Sequence, residues 1–182
     1  MKINDSEIIE SFLKGNRDVF NIIIETHTKF VYNICLSLLK NIHDSEDVTQ
    51  EVFILIFNNL NKFNNSSSLK TWIYKITYNQ CLKFLKKRKI NLDIDTSEII
   101  NKNIEIKYSE RDDEEISKIL NESILELNPI ESLVLNLFYY KEQSLKEISE
   151  ITNLSNSNIR VILHRSRIKL FQIINKKVKS RG

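Results

Sequence analysis

Glycine and proline are almost missing from this chain. Its 182 residues hold one proline (Pro129), two glycines (Gly15 and Gly182) and no alanine. Sheet-rich folds need frequent tight turns, and those turns lean on Gly and Pro for their backbone angles. A chain this poor in both has few tight turns and reads as all-α. The same scarcity removes whole classes of chemistry. A phosphate-cradling loop or a dinucleotide fingerprint needs several glycines in one short window, and no window supplies them. Collagen-like, Pro-rich and Gly-rich low-complexity chains are excluded as well. At 41 % apolar residues the chain can bury a core.

The two cysteines, Cys35 and Cys81, are distant in sequence and lie in apolar, helix-like stretches, and the three histidines (His27, His43, His164) are scattered. Neither a disulfide framework nor a zinc site is expected, and the usage fits a reducing cytosol. No apolar run reaches about 18 residues and the N-terminus is polar, so the reading is cytoplasmic, without signal peptide or transmembrane helix.

The formal net charge of +3 hides four blocks. Residues 1–68 carry 6 basic and 9 acidic groups; residues 69–89 carry 7 basic and none acidic. Residues 90–131 carry 4 basic and 12 acidic groups, and residues 132–182 carry 10 basic and 3 acidic. Two basic segments flanking an acidic one point to two polyanion-binding surfaces, against the simpler reading of Lys-rich stretches as solvated helix faces.

Helical periodicity runs through 6–14, 17–40, 44–61 and 69–88. Acids at Asp44, Glu46 and Asp47 suit the positive end of the third of these helices. In the fourth, Leu69, Trp72, Ile73, Ile76, Leu82 and Leu85 are expected to face inward. Tyr74, Tyr78 and Phe84 cannot all share that face, so at least one is expected at the surface, where stacking on an unpaired base is worth about 1–3 kcal/mol. Trp72 reads equally as a packing residue. The polar stretch NKFNNSSS (61–68) is a loop. Residues 90–115 lose periodicity and read as an acidic, flexible linker with helix expected only near its end; fully extended it could reach roughly 85–90 Å at about 3.3–3.6 Å per residue. The domains are then 1–89, the linker 90–115, and 116–182. Periodicity resumes at Ile116, Ile119, Leu120, Ile124 and Leu127, and Pro129 starts the next helix.

The segment LKEISEITNLSNSNIRVILHRSRIKL (145–170) has helix-turn-helix character. Ile148 and Ile151 face inward, Leu154 plugs the turn, and Ile159, Ile162 and Leu163 seat the second helix. Asn153 stands where the turn wants a left-handed residue, which Asn tolerates. The second helix displays Asn156, Asn158, Arg160, Val161, His164, Arg165 and Arg167. Such a helix can enter a major groove, with Arg on guanine edges or phosphates and Asn on adenine. The alternative is a basic amphipathic helix that only packs a bundle.

In order, DSEDVTQEVFILIFNNLNKF (44–63) and LKTWIYKITYNQCLKFLKKRK (69–89) resemble region 2 of a bacterial sigma-70-type factor. LNPIESLVLNLFYYKEQSLKEISEITNLSNSNIRVILHRSRIKL (127–170) resembles region 4, and nothing between them looks like region 3. The plan is similar to that of the extracytoplasmic-function (ECF) sigma factors: two small helical domains, a region 2 bundle and a region 4 helix-turn-helix. The resemblance implies an alternative sigma factor that binds core RNA polymerase and reads the −10 and −35 promoter elements. It implies polymerase contacts, on the clamp helices of β′, at Asp44, Asp47, Gln50, Glu51, Leu55 and Asn58. It assigns −10 DNA to Phe63, Asn64, Asn65 and Ser66 in the loop and to Trp72, Lys75, Asn79 and Lys83 on the helix. It assigns −35 DNA to Asn158, Arg160, Val161, His164, Arg165 and Arg167. The β flap and an anti-sigma factor are further implied partners. No cofactor, metal ligand or catalytic residue is implied.

The recognition helix departs from the family's usual Gly-Thr-Val-Lys/Arg-Ser opening and reads Ser157-Asn158-Ile159-Arg160-Val161. Val161 can meet a thymine methyl or merely pack. Ser149 replaces the usual Ala of the first helix, and Asn153 the usual turn Gly. A second reading is a helix-turn-helix regulator that binds duplex DNA without polymerase. A nuclease or deaminase would need clustered carboxylates at metal spacing or His/Cys ligands, and the acids at 110–115 read as a solvated linker run instead.

Overall fold

The computed structural model describes residues 5–92, 114–140 and 142–181. Among them the regular elements are helical. They are α1 (Asp5–Leu13), α2 (Phe20–Leu39), α3 (Ile42–Asn59), α4 (Leu69–Leu92), α5 (Glu114–Glu126), α6 (Pro129–Leu135), α7 (Leu145–Thr152) and α8 (Asn156–Arg181). Short 3-10 turns precede α2 and follow α3, and α6 runs on into a π-helical stretch at Asn136–Tyr140. Most of the linker expected at 90–115 lies outside the described residues. No helix among the described residues is long and apolar enough to cross a membrane.

Local chemistry sets the boundaries. Lys40 takes a left-handed conformation (φ 54°) and stops α2, and Asn41 caps α3 by accepting the amide of Asp44 at 3.0 Å. Such a cap is worth about 1 kcal/mol, and Asp44 lies in the first turn of α3, at the positive end where the sequence reading put the acids. Ser68 accepts the Thr71 amide at the start of α4. Capping boxes open both α6 (Asn128 with Glu131, Pro129 between them) and α7 (Ser144 with Glu147).

The centre of the molecule is α2. Ile34, Cys35, Leu36, Ser37, Leu38 and Leu39 are consecutive and all buried. Six residues exceed the 3.6 of one turn, so here the helix is covered on every side. Helices α3 and α4 cover one part, and α6 covers another. The first three-helix layer is aliphatic at its heart, with Val31, Ile34, Val48, Val52, Ile56 and Ile73 at most 0 % exposed. The C-terminal helices build a second layer around Leu133, Leu137, Ile148, Ile151 and Ile159. Burying each such side chain is worth about 1.5–3 kcal/mol.

The inward face of α4 differs from the sequence expectation. Leu69 and Ile73 are buried, but Leu82 is 43 % exposed, while Tyr74, Thr77, Tyr78 and Cys81 are buried. Tyr74 stacks on Phe30 at 4.4 Å between ring centroids. The expected surplus aromatic does not surface: Tyr74 and Tyr78 are buried and Phe84 is half-buried. The reason is that α4 packs against α2 and α3 and also against α7, so its covered face is wider than one helical stripe. The packing also brings together the two cysteines: Cys81 donates its thiol to Cys35 Sγ at 3.6 Å, and both are free thiols.

Candidate nucleic-acid interface

Three surfaces carry the residues singled out in the sequence. The first is the outer face of α3. Asp47, Gln50, Glu51 and Asn58 are exposed on it, and Asp44 and Leu55 are half-buried. Two of its carboxylates are tied to α4. Arg88 Nη1 lies 2.8 Å from Asp44 Oδ2, and Gln80 Nε2 donates to Glu51 at 2.7 Å. Sequence reasoning missed Ile54, which is 60 % exposed. The signal was present: positions 47, 50, 51, 54 and 58 recur at helical spacing, so an isoleucine on that line stands among the acids. The acids of this stripe would repel a phosphate backbone. Phe57, exposed next to it, is held edge-on by Phe12 and Phe20 at 5.2 and 5.1 Å.

The second surface is the loop after α3 and the stripe along α4. Phe63 is half-buried and packs on Trp72, their centroids 5.4 Å apart and the rings tilted by 60°. Asn64, Asn65 and Ser66 are exposed. Asn64 Oδ1 accepts the Ser66 amide at 3.2 Å, and Asn65 sits at φ 58°. This side-chain turn holds the loop tip open without glycine. From Trp72 onward, Lys75, Asn79 and Lys83 follow at i+3, i+7 and i+11, so the four lie along one line of α4, and all three polar residues are exposed. At about 1.5 Å per residue the line is roughly 16 Å long, the reach of several nucleotides. An aromatic pair at one end and cations along the rest are the parts of a site that stacks one base and tracks a strand.

The third surface is α8. Ser155 opens the helix by accepting the Asn158 amide, and Asn153 ends α7 at φ 58°, ψ 19°, as the sequence predicts. Ile148, Ile151, Ile159 and Leu163 are buried, which clamps the two helices together. Opposite them, Asn158, Arg160, Val161, His164, Arg165 and Arg167 are all exposed, Val161 by 46 %. Arg167 Nε is engaged by the Leu163 carbonyl of its own helix at 3.1 Å, so only the outer part of its guanidinium is free to meet a phosphate. An ion pair between Lys169 and Glu131 at 2.6 Å ties the same helix to the start of α6. The structure thus gathers the expected −10 residues on one face and the expected −35 residues on another, and α7 packs against both carrier helices.

Comparison with known proteins agrees with this layout. The family model Sigma-70 region 2 matches residues 23–90, and the model Sigma-70, region 4 matches residues 117–170. The chain is 29 % identical over 170 residues to the ECF RNA polymerase sigma factor SigW of Bacillus subtilis, covering 87 % of this chain and 90 % of that one. It is 28 % identical over 156 residues to the ECF sigma factor SigM of the same organism, covering 86 % and 95 %. Among solved structures, the sigma factor RpoE of Bartonella quintana, in complex with the anti-sigma factor NepR, shares the fold. Its TM-score is 0.75 at 16 % identity, over 86 % of this chain and 96 % of that one.

Proposed function

The chain belongs to the extracytoplasmic-function branch of the sigma-70 family, and from that premise we propose a division of labour among its three surfaces. It is an alternative sigma factor: it binds core RNA polymerase and directs transcription from specific promoters. The acidic, isoleucine-centred face of α3 docks on the polymerase, through Asp44, Asp47, Gln50, Glu51, Leu55 and Asn58. Phe63 to Ser66 and the Trp72–Lys75–Asn79–Lys83 line hold the melted −10 strand. The exposed face of α8 reads −35 duplex. The bond-making chemistry is the polymerase's, and the chain supplies recognition; its place of work is the cytoplasm, where the polymerase is.

The observation that carries this reading is the pairing of a single-strand type surface on α4 with a duplex type surface on α8 in one chain. A regulator acting alone has use for the second and none for the first. An anti-sigma antagonist is a further proposed partner, as RpoE has in its complex. The test is run-off transcription with purified chain and core polymerase. Initiation from a cognate promoter that needs both components supports the reading. Tight duplex binding by the chain alone, unchanged by core enzyme, would overturn it in favour of the lone regulator.

A further inference from the structure

The chain has two cysteines, and they meet. Cys35 on α2 and Cys81 on α4 are 46 positions apart, and the Cys81 thiol donates to Cys35 Sγ at 3.6 Å. Both are free thiols and both are 0 % exposed. A single buried cysteine packs as a small apolar side chain and asks for no further role. Two that are each other's hydrogen-bond partner are the parts of a dithiol.

The contact is close to bonding geometry. A disulfide spans about 2.0 Å, so closing this one moves each sulfur by less than about 1 Å. The two helices are already packed on each other, and small turns of the two side chains cover that distance.

The two sulfurs differ in character. The hydrogen bond from Cys81 pulls the Cys35 thiol below its ordinary pKa against the effect of burial. The same bond, with burial added, pushes the Cys81 thiol up. The thiolate is the reactive form, so Cys35 is the attacking sulfur and Cys81 the one that resolves it. Access selects the oxidant. With no sulfur exposed, a reagent enters only through brief local openings, which favours a small neutral molecule over a bulky charged disulfide such as oxidised glutathione.

We propose that Cys35 and Cys81 are an oxidation site for hydrogen peroxide, at which a reversible disulfide staples α2 to α4. In the first step the Cys35 thiolate attacks one peroxide oxygen and the O–O bond breaks. The hydroxide that leaves takes up the proton Cys35 gave up, and becomes water. In the second step the Cys81 sulfur attacks the Cys35 sulfenic acid and the S–O bond breaks. The departing oxygen takes the Cys81 proton and leaves as a second water. The two thiols lose two electrons and two protons, and one peroxide is reduced to two waters.

The staple spares the outer surfaces. Cys81 is two residues from both Asn79 and Lys83, which puts it roughly 160° around α4 from the Trp72–Lys75–Asn79–Lys83 line. The bond therefore forms on the inner side of the helix. It constrains the unfolded chain and leaves the exposed line in place.

The test treats the full-length chain with hydrogen peroxide and maps it by non-reducing peptide mass spectrometry. The Cys35 and Cys81 peptides should be joined within one molecule, with the loss of two hydrogens, and dithiothreitol should restore both thiols. Oxidised glutathione at the same concentration should leave them free. Urea unfolding should show the folding constant raised about thirty- to a thousandfold in the oxidised chain. Cys81→Ala should stop at a Cys35 sulfenic acid that dimedone captures, and Cys35→Ala should react roughly tenfold more slowly. Circular dichroism checks that both variants fold, and if either does not, the wild-type map and unfolding curves decide. Thiols that survive peroxide, bonds between molecules only, equal closure by oxidised glutathione, or an unchanged folding constant would each overturn the proposal. The oxidised chain should initiate with core polymerase as well as the reduced one, and loss of initiation on oxidation alone would overturn the inner-side placement of the staple. Failure of the promoter reading shows separately, as no initiation by the reduced chain.

Discussion

Arg88 Nη1 sits 2.8 Å from Asp44 Oδ2, an ion pair that joins the basic end of α4 to the first turn of α3. It ties the helix proposed to read the strand to the start of the helix proposed to face the polymerase. Both side chains are partly open to water, at 38 % and 26 % exposure, so the pair contributes only about 0.5–1 kcal/mol. Arg88→Ala should therefore lower the urea midpoint slightly. Asp44→Asn should do the same and should also weaken binding to core polymerase several-fold, because it removes a charge of the docking face. Equal losses of polymerase affinity in the two variants would mean that Asp44 acts only by holding α4.

Lys40 predicts a pH dependence. Its Nζ is buried without a hydrogen-bond partner, and that burial pulls its pKa from 10.5 down to about 8. The unfolded chain therefore binds more protons than the folded one between pH 8 and 10.5, and stability rises with pH across that window. Below it the ammonium costs the fold roughly 3 kcal/mol at most, at about 1.4 kcal/mol per pH unit. Lys40→Met should raise stability at pH 7 and remove the alkaline rise. Tyr74 and Tyr78, whose phenols burial pushes up, work the other way from about pH 10. The difference between wild type and variant cancels them. Parallel stability–pH curves for the two proteins would show that Lys40 is hydrated in solution.

Glu131 joins two elements with one side chain. Its Oε2 accepts from the Asn128 amide in the capping box, and its Oε1 is 2.6 Å from Lys169 Nζ on α8. The Glu131 side chain is 7 % exposed while that of Lys169 is 51 % exposed. Loss of the carboxylate removes the capping bond and the ion pair together, while loss of the amine leaves the 7 % exposed carboxylate without its cation. Glu131→Ala should destabilise by about 2–3 kcal/mol, and Lys169→Ala by about 1–2 kcal/mol, less because the capping bond survives. Thermal unfolding of the two variants decides this, and equal shifts would contradict it.

How far these features could be read in advance depends on how local their causes are. The start of α6 at Asn128-Pro129 and the left-handed Asn153 follow from a few neighbouring residues, and both are where the sequence puts them. The candidate site residues came from the resemblance to sigma region 2, and helical spacing puts Trp72, Lys75, Asn79 and Lys83 on one line of α4. The inward face of α4 was not legible. Leu82 turns out and Tyr74, Tyr78 and Cys81 turn in because α7, more than sixty positions away, supplies a second cover. The hydrogen bond from Asn136 to Ser37 has no local signature either: a serine in an apolar helix looks like a tolerated exception until its partner is seen.

Asn153 offers a clean test of the turn between α7 and α8. At φ 58° a residue with a β-carbon is strained by about 1–2 kcal/mol, and Asn lessens this more than most. Asn153→Gly should be neutral or slightly stabilising, and Asn153→Val should cost at least 1 kcal/mol and weaken −35 binding with it. A valine variant as stable as wild type would show that the turn adopts another conformation.

The two proposed DNA surfaces should also separate by experiment, since each is assigned a different target. Lys83 on α4 is placed to neutralise a phosphate, so Lys83→Ala in the polymerase complex should weaken all promoters alike and reduce the salt slope of binding by about one. Trp72→Ala removes the ring that packs on Phe63, and should lose about 1–3 kcal/mol on pre-melted templates through stacking. It should do little to the binding of −35 duplex. Arg165 and Val161 stand on the exposed face of α8 and are proposed to meet base edges. Arg165→Ala should cost about 1–3 kcal/mol on the preferred −35 sequence and much less on a scrambled one. Promoter binding titrated between 50 and 200 mM salt on matched, scrambled and pre-melted templates measures these effects, within the range where counterion release dominates at about three to five decades. If Arg165→Ala were as indifferent to sequence as Lys83→Ala, α8 would be an anchor on the backbone, and the specificity of this sigma factor would reside in α4 and the Phe63–Ser66 loop alone.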